Sequence, residues 1–164
     1  MKSTFILALT AVVAAGLTLA AGLAAPAGAA SDTKACSIVS FADAGTALGG
    51  VTITTVTTRS IGTETMCSYH SSDLFKRLEV STHPFPSVGE AKSYFHSTIT
   101  SPLKQMSPSV DISGIGDEAH RLGPDIFVRK GDTVYMFTQF AKDTNGAGAL
   151  RTIALARTAI GRLH

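Results

Sequence analysis

This sequence has no tryptophan and only 7% aromatic residues, which argues against a stacking platform for carbohydrate. Charge is sparse, and the 14 Lys and Arg are interspersed with the 12 Asp and Glu instead of forming blocks. Without a basic stripe, no nucleic acid partner is expected. There are only two cysteines, Cys36 and Cys67, with no C-x-x-C and no nearby His at zinc-like spacing. A redox motif and a metal site therefore both lack their usual starting residues. His70, His83, His96 and His120 stand singly, without H-x-H or H-E-x-x-H, and no G-x-S-x-G occurs. Gly114-Ile115-Gly116 is part of a dinucleotide fingerprint but lacks the helix that should follow. No cofactor is expected.

Only one long hydrophobic run exists, and it is N-terminal. Lys2 gives a short positive start, Phe5 to Ala25 is apolar apart from Thr10 and Thr18, and Ala27-Gly28-Ala29 supplies the small residues of a cleavage site. Residues 1–30 are expected to be a signal peptide cut after Ala29 or Ala30. An uncleaved anchor is the competing reading, because the run approaches bilayer-spanning length. Pro26 and the Ala/Gly-rich second half favour cleavage. Removal takes only Lys2 from the charge balance and leaves a chain near neutrality, with no stable membrane insertion afterwards. Export would carry both cysteines into an oxidising compartment, so a Cys36–Cys67 disulfide is expected. Closing that loop stabilises by about 3–4 kcal/mol on the loop-entropy argument.

Residues 31–164 are expected to form a single α+β domain around the stretch Asp125 to Ala141. Two runs rich in Ile, Val, Phe, Tyr and Thr flank Lys130-Gly131-Asp132, the pattern of a β-hairpin. Ile126 and Val128 alternate with Phe127 and Arg129, and Tyr135 and Phe137 with Val134 and Met136. Apolar groups thus point both ways, as in an inner pair of strands covered on part of each face.

Further strands are expected at Val51–Thr58, Thr65–His70, Leu74–His83 and Glu118–Leu122, with Leu74 an apolar position of the third. Ser40 and Ser87 are helix caps with acidic residues three positions on, opening helices to Leu48 and over Val88–Ile99. Phe41, Ala44 and Leu48 should face inward in the first, and Val88, Ala91, Phe95 and Ile99 in the second. Pro102 and Pro108 bracket a loop. In the last helix, Gly148 to His164, the inward arc is Leu150, Ile153, Ala156, Ile160 and Leu163, with Leu155 exposed and Arg151 and Arg162 opposite. The expected fold is an antiparallel sheet of about six strands carrying two longer helices and one short N-terminal helix. Strands followed by a helix occur twice, a hint of a quasi-repeat.

Ala35-Cys36-Ser37-Ile38-Val39-Ser40, Met66-Cys67-Ser68-Tyr69, Gly114-Ile115-Gly116-Asp117-Glu118-Ala119 and Ile126-Phe127-Val128-Arg129-Lys130-Gly131-Asp132 together resemble a group of small exported bacterial envelope proteins and lipoproteins. That group is seen often in actinobacteria, and some members are PsbP-like in fold. The resemblance implies a fold and an address; it brings no catalytic residues. Lys34 departs from the lipid-attachment pattern of many relatives, so a lipid on Cys36 is not expected.

Asp117, Glu118 and His120, after a Gly-rich turn, are the most clustered ionisable groups and the weak candidates for acid/base chemistry. The plainer account gives the glycines to backbone angles and Asp117 to a turn. Arg59, Lys76 and Arg77 read as solvated strand residues. The leading expectation is a secreted, non-catalytic binding or interaction module of the envelope or extracellular space, taking a protein partner or a small apolar ligand. The alternatives are a small secreted hydrolase using Asp117, Glu118 and His120 with a hydroxyl from elsewhere, or a protein inhibitor presenting the Pro84–Pro86 or Pro102–Pro108 loop.

Overall fold

Alternation of large apolar side chains on both faces of Asp125 to Phe140 puts that hairpin inside the sheet. The computed structural model describes residues 34–101, 109–142 and 146–163. The expected leader, the Pro102–Pro108 loop and residues 143–145 lie outside the described residues. The order is α1 (Lys34–Ser37), α2 (Phe41–Ala47), β1 (Ile53–Ile61), β2 (Glu64–Ser71), β3 (Arg77–Pro84), α3 (Val88–Tyr94) running on into a π-helical segment (Phe95–Thr100), β4 (Ser109–Asp111), β5 (Glu118–Leu122), β6 (Asp125–Lys130), β7 (Thr133–Phe140) and α4 (Ala147–Gly161).

All seven strands form one antiparallel sheet ordered β1-β2-β3-β7-β6-β5-β4. Two meanders, β1 to β3 and β4 to β7, therefore meet where β3 pairs with β7. The strand beyond the expected six is β4, whose three residues are too few to give a periodic signal.

One face of the sheet carries the main core. Cys67, Tyr69, Leu78, Val80, Ile126, Val128 and Phe137 pack there with Ile38, Val39, Leu48, Leu155, Ala156 and Ile160 from the helices. The disulfide Cys36–Cys67 ties α1 to β2 within this layer. Beside it, the Tyr69 hydroxyl donates to the carbonyls of Val39 at 2.7 Å and Cys36 at 3.3 Å. Burial, with Asp43 adding to it, pushes the Tyr69 phenol up to about 12. The other face is covered only in part, by Phe95 and Ile99 over Val134, with Phe85, Tyr94 and Phe127 at the margin. Among the described residues no helix is long and apolar enough to cross a membrane.

α2 is short, and its capping box offsets that: Ser40 Oγ accepts from the Asp43 amide while the Asp43 carboxylate accepts from the Ser40 amide. Its last carbonyls are also satisfied, because Ala47 O accepts from Gln139 Nε2 and Arg151 Nε. Phe41, expected inward, is half exposed and meets Tyr69 edge-on instead. Val88, in the first turn of α3, is likewise exposed, whereas Ala91, Phe95 and Ile99 are buried.

The α4 face is rotated from the expected arc. Ala149, Thr152, Leu155, Ala156, Ala159 and Ile160 are buried, Ile153 is half-buried, and Leu150 is 67% exposed. Small residues let the helix lie close to the sheet, and Thr152 is drawn in by donating to buried Gln139. An arc chosen by side-chain size misses both causes.

Candidate functional site

The ionisable cluster near Gly116 is built by strand register. Gly116 has φ +58°, and a Cβ there would collide with the Arg129 carbonyl and the Val128 side chain. Only glycine brings this turn so close to β6. Asp117 and Glu118 then converge on Arg129, whose side chain is 7% exposed. Arg129 Nη1 donates to Asp117 Oδ2 at 2.9 Å, and Nη2 and Nε donate to Glu118 Oε1 at 2.8 and 3.1 Å. The Gly131 amide donates to the same Asp117 oxygen. Both acids are thus occupied in fixing Arg129 and the β6–β7 turn.

His120 is not brought into this group. It is 1% exposed and hydrogen-bonds Asp111 Oδ1 on β4 through Nδ1 at 2.8 Å, while its buried Nε2 has no partner among the described residues. The histidine that does reach Glu118 is His96, with Nε2 2.8 Å from Glu118 Oε2. Thr100 Oγ1 lies 3.5 Å from His96 Nδ1, so a hydroxyl, an imidazole and a carboxylate follow in series. The hydroxyl proton is already given to the Phe95 carbonyl at 2.8 Å, and the contact to His96 is long for proton transfer. A hollow of about 280 Å³ adjoins this series. A nucleophile whose hydrogen faces a carbonyl is poorly set up for attack.

The Pro84–Pro86 segment is not a projecting loop. Pro84 pairs with Thr133, the Phe85 amide donates to Asp132 O, and the Phe85 ring stacks on His83 and meets Tyr94 at a tilt. An inhibitory loop needs backbone free to pair with a protease, whereas the Pro84 and Phe85 backbone is already paired with Thr133 and Asp132.

A different end of the molecule is the better-formed site. The turn from Ser72 to Lys76, the end of β7 and the start of α4 enclose an open hollow of about 390 Å³. Leu48, Phe75 and Ala141 give it apolar walls, Lys76, Lys142 and Arg151 bring positive groups to it, and Asp73, 3.9 Å from Lys76, brings one carboxylate. Arg151 is aimed by its bond to Ala47 O. Arg77 lies 4.2 Å over the Phe140 ring next to it and pairs with Glu79. Such a volume with few converging polar groups is the usual form of a small-ligand site.

This site was not visible in the sequence. Leu74 reads as a strand position, but β3 starts at Arg77, and Leu74 and Phe75 are 94% and 74% exposed on the turn. The signal was Ser71-Ser72-Asp73, whose side chains favour turns and extend this one through Lys76. Lys76 and Arg77 flank the hollow, whereas Arg59 sits well along β1 from the row holding Arg77.

No protein-family model matches this chain, and no curated protein matches it.

Proposed function

We propose that this protein is an exported, non-catalytic binding module of the cell envelope or extracellular space. Its ligand is a small apolar molecule with an acidic end, held in the hollow beside Phe75. The disulfide, the absence of a spanning helix among the described residues, the N-terminal run of the sequence and its resemblance to exported bacterial proteins support the address. The observation that carries the binding reading is the meeting of Leu48, Phe75 and Ala141 with Lys76, Lys142 and Arg151 in one open hollow. An alkyl chain gains by leaving water against the apolar walls, and a carboxylate gains by facing the cations.

Titration with dansylundecanoic acid tests this. Saturable fluorescence enhancement at one site per chain is expected, lost when Ala141→Trp fills the hollow and weakened by Lys142→Glu. Absence of saturable binding, or binding indifferent to both variants, would sink the reading. The hydrolase alternative has its own readout: turnover of fluorogenic esters by the secreted chain that disappears in His96→Leu, since His96 and not His120 reaches Glu118.

A further inference from the structure

We infer that the hollow between the Gly114–Gly116 turn, the end of β6 and the last turns of α4 binds a phosphoryl oxyanion, either free phosphate or the phosphate of a monoester. This goes beyond the binding reading above and does not depend on it, because the two hollows have no lining residue in common.

The hollow measures about 320 Å³. Lys130 reaches it from the end of β6 and Arg157 from α4, so two cations approach from separate elements. Both are exposed, and neither has an ion-pair or hydrogen-bond partner among the described residues. No carboxylate lines this hollow, in contrast to the one beside Phe75, where Asp73 does. The surrounding acids have other partners. Asp117 accepts from Arg129 and the Gly131 amide, and Glu118 accepts from Arg129. Asp132 accepts from Thr133, and Asp43 accepts from Arg162 at the end of α4. Residues 147–163 contain no Asp or Glu. Two cations turned to one space without a counter-charge repel each other, and an anion between them removes that cost.

The turn adds donors. Gly114 and Gly116, at φ +75° and +58°, place left-handed backbone on both sides of Ile115. Successive amides in such a turn form a concavity that suits an anion. The Gly114, Ile115 and Gly116 amides donate to no acceptor among the described residues. A Cβ at Gly114 would touch nothing, so glycine there serves the backbone angle and not packing. The sequence Gly114-Ile115-Gly116 runs on into β5 and lacks the helix whose N-terminus completes a dinucleotide site. Lys130 and Arg157 supply the positive charge which that helix would have given. The negative pole of α4 at Gly161 amounts to about half a charge, against the two full charges facing it. A phosphoryl group carries about −1.5 to −2 at pH 7 and presents several acceptor oxygens, so it answers both cations and the amides. A carboxylate, with one charge, leaves a cation unmatched.

Isothermal titration of the secreted, disulfide-bonded chain at low ionic strength, with sodium phosphate, glycerol 3-phosphate and acetate, tests this. Saturable binding of phosphate or the monoester at one site per chain is expected, with a Kd of about 1 mM or tighter and acetate about tenfold weaker or more. Lys130→Met and Arg157→Met should each weaken phosphate binding about tenfold, the scale of one lost charge-assisted hydrogen bond. Both side chains are exposed, so the fold is kept, and circular dichroism checks it. Arg59→Met removes an equal charge outside the hollow and should leave binding unchanged. Ala141→Trp should abolish dansylundecanoic acid binding and keep phosphate binding, so the two readings fail separately. Tighter binding of glycerol 3-phosphate than of phosphate assigns the site to a monoester, and the reverse order assigns it to free phosphate. Absence of saturable binding, acetate held as tightly as phosphate, or a loss in Arg59→Met equal to that in Lys130→Met overturns the site.

Discussion

Arg129 is the side chain whose removal the structure would feel most among the charged residues. It is buried between Asp117 and Glu118, so Arg129→Ala takes away the guanidinium that both carboxylates share and leaves Glu118 with His96 and Asp117 with the Gly131 amide. Breaking a buried pair costs about 3–5 kcal/mol, and the partial exposure of both acids argues for the lower end. Urea unfolding should therefore show a midpoint shift without a change in slope. His120→Leu is the contrasting case. It removes a buried ring nitrogen that has no partner among the described residues and releases an exposed Asp111, so stability should stay within about 1 kcal/mol of the parent. Asp43 provides the pH test. The hydrogen bond from Arg162, then that from Ser40, hold its carboxyl well below 3.8, at about 2. Its contribution is complete above the unfolded value and is lost as pH falls through about 2. The difference in melting temperature between the parent and Asp43→Asn should therefore shrink from about pH 4 down to about pH 2. At this scale the sequence displayed the Asp117, Glu118 and His120 cluster but not how it divides. Residues adjacent in the chain were sorted between Arg129 and Asp111 by the register of three consecutive strands, which the residue types alone do not display.

Among the elements, those with a local cause were legible. The β6–β7 hairpin follows from alternation about Gly131, and the α2 start follows from Ser40 and Asp43. Elements decided by their neighbours were not. Helix α4 turns its small residues to the sheet because β7 presents Gln139 to Thr152, and the Ala47 carbonyl of α2, 92 residues before Gln139, completes the same set of bonds. The turn after β2 lengthens because Ser71 binds both its ends. Leu74 consequently stays outside the strand that its residue pattern predicts, and the hollow beside Phe75 has no local signature.

The sheet is two meanders sharing the β3–β7 seam, with the main core on one face and the smaller Phe95, Ile99 and Val134 cluster on the other. The disulfide acts at this scale, because it fastens the N-terminal segment, and through Tyr69 the approach to α2, onto the first meander. Replacing Cys36 and Cys67 with Ala should lower stability by about 3–4 kcal/mol, and reductant should lower the parent to the same level. Equal urea midpoints with and without reductant would show that the link carries no such load.

The two borders of the sheet are unlike: β1 runs for nine residues, and β4 for three. Among the described residues, Arg59 and the register shift between Ile53 and Thr55 are what the longer rim sets against another strand zipping alongside. The opposite rim is too brief to serve as a template. Two molecules joined rim to rim about a twofold axis would use up the one long border each possesses, and growth would halt at the pair instead of running on into a filament.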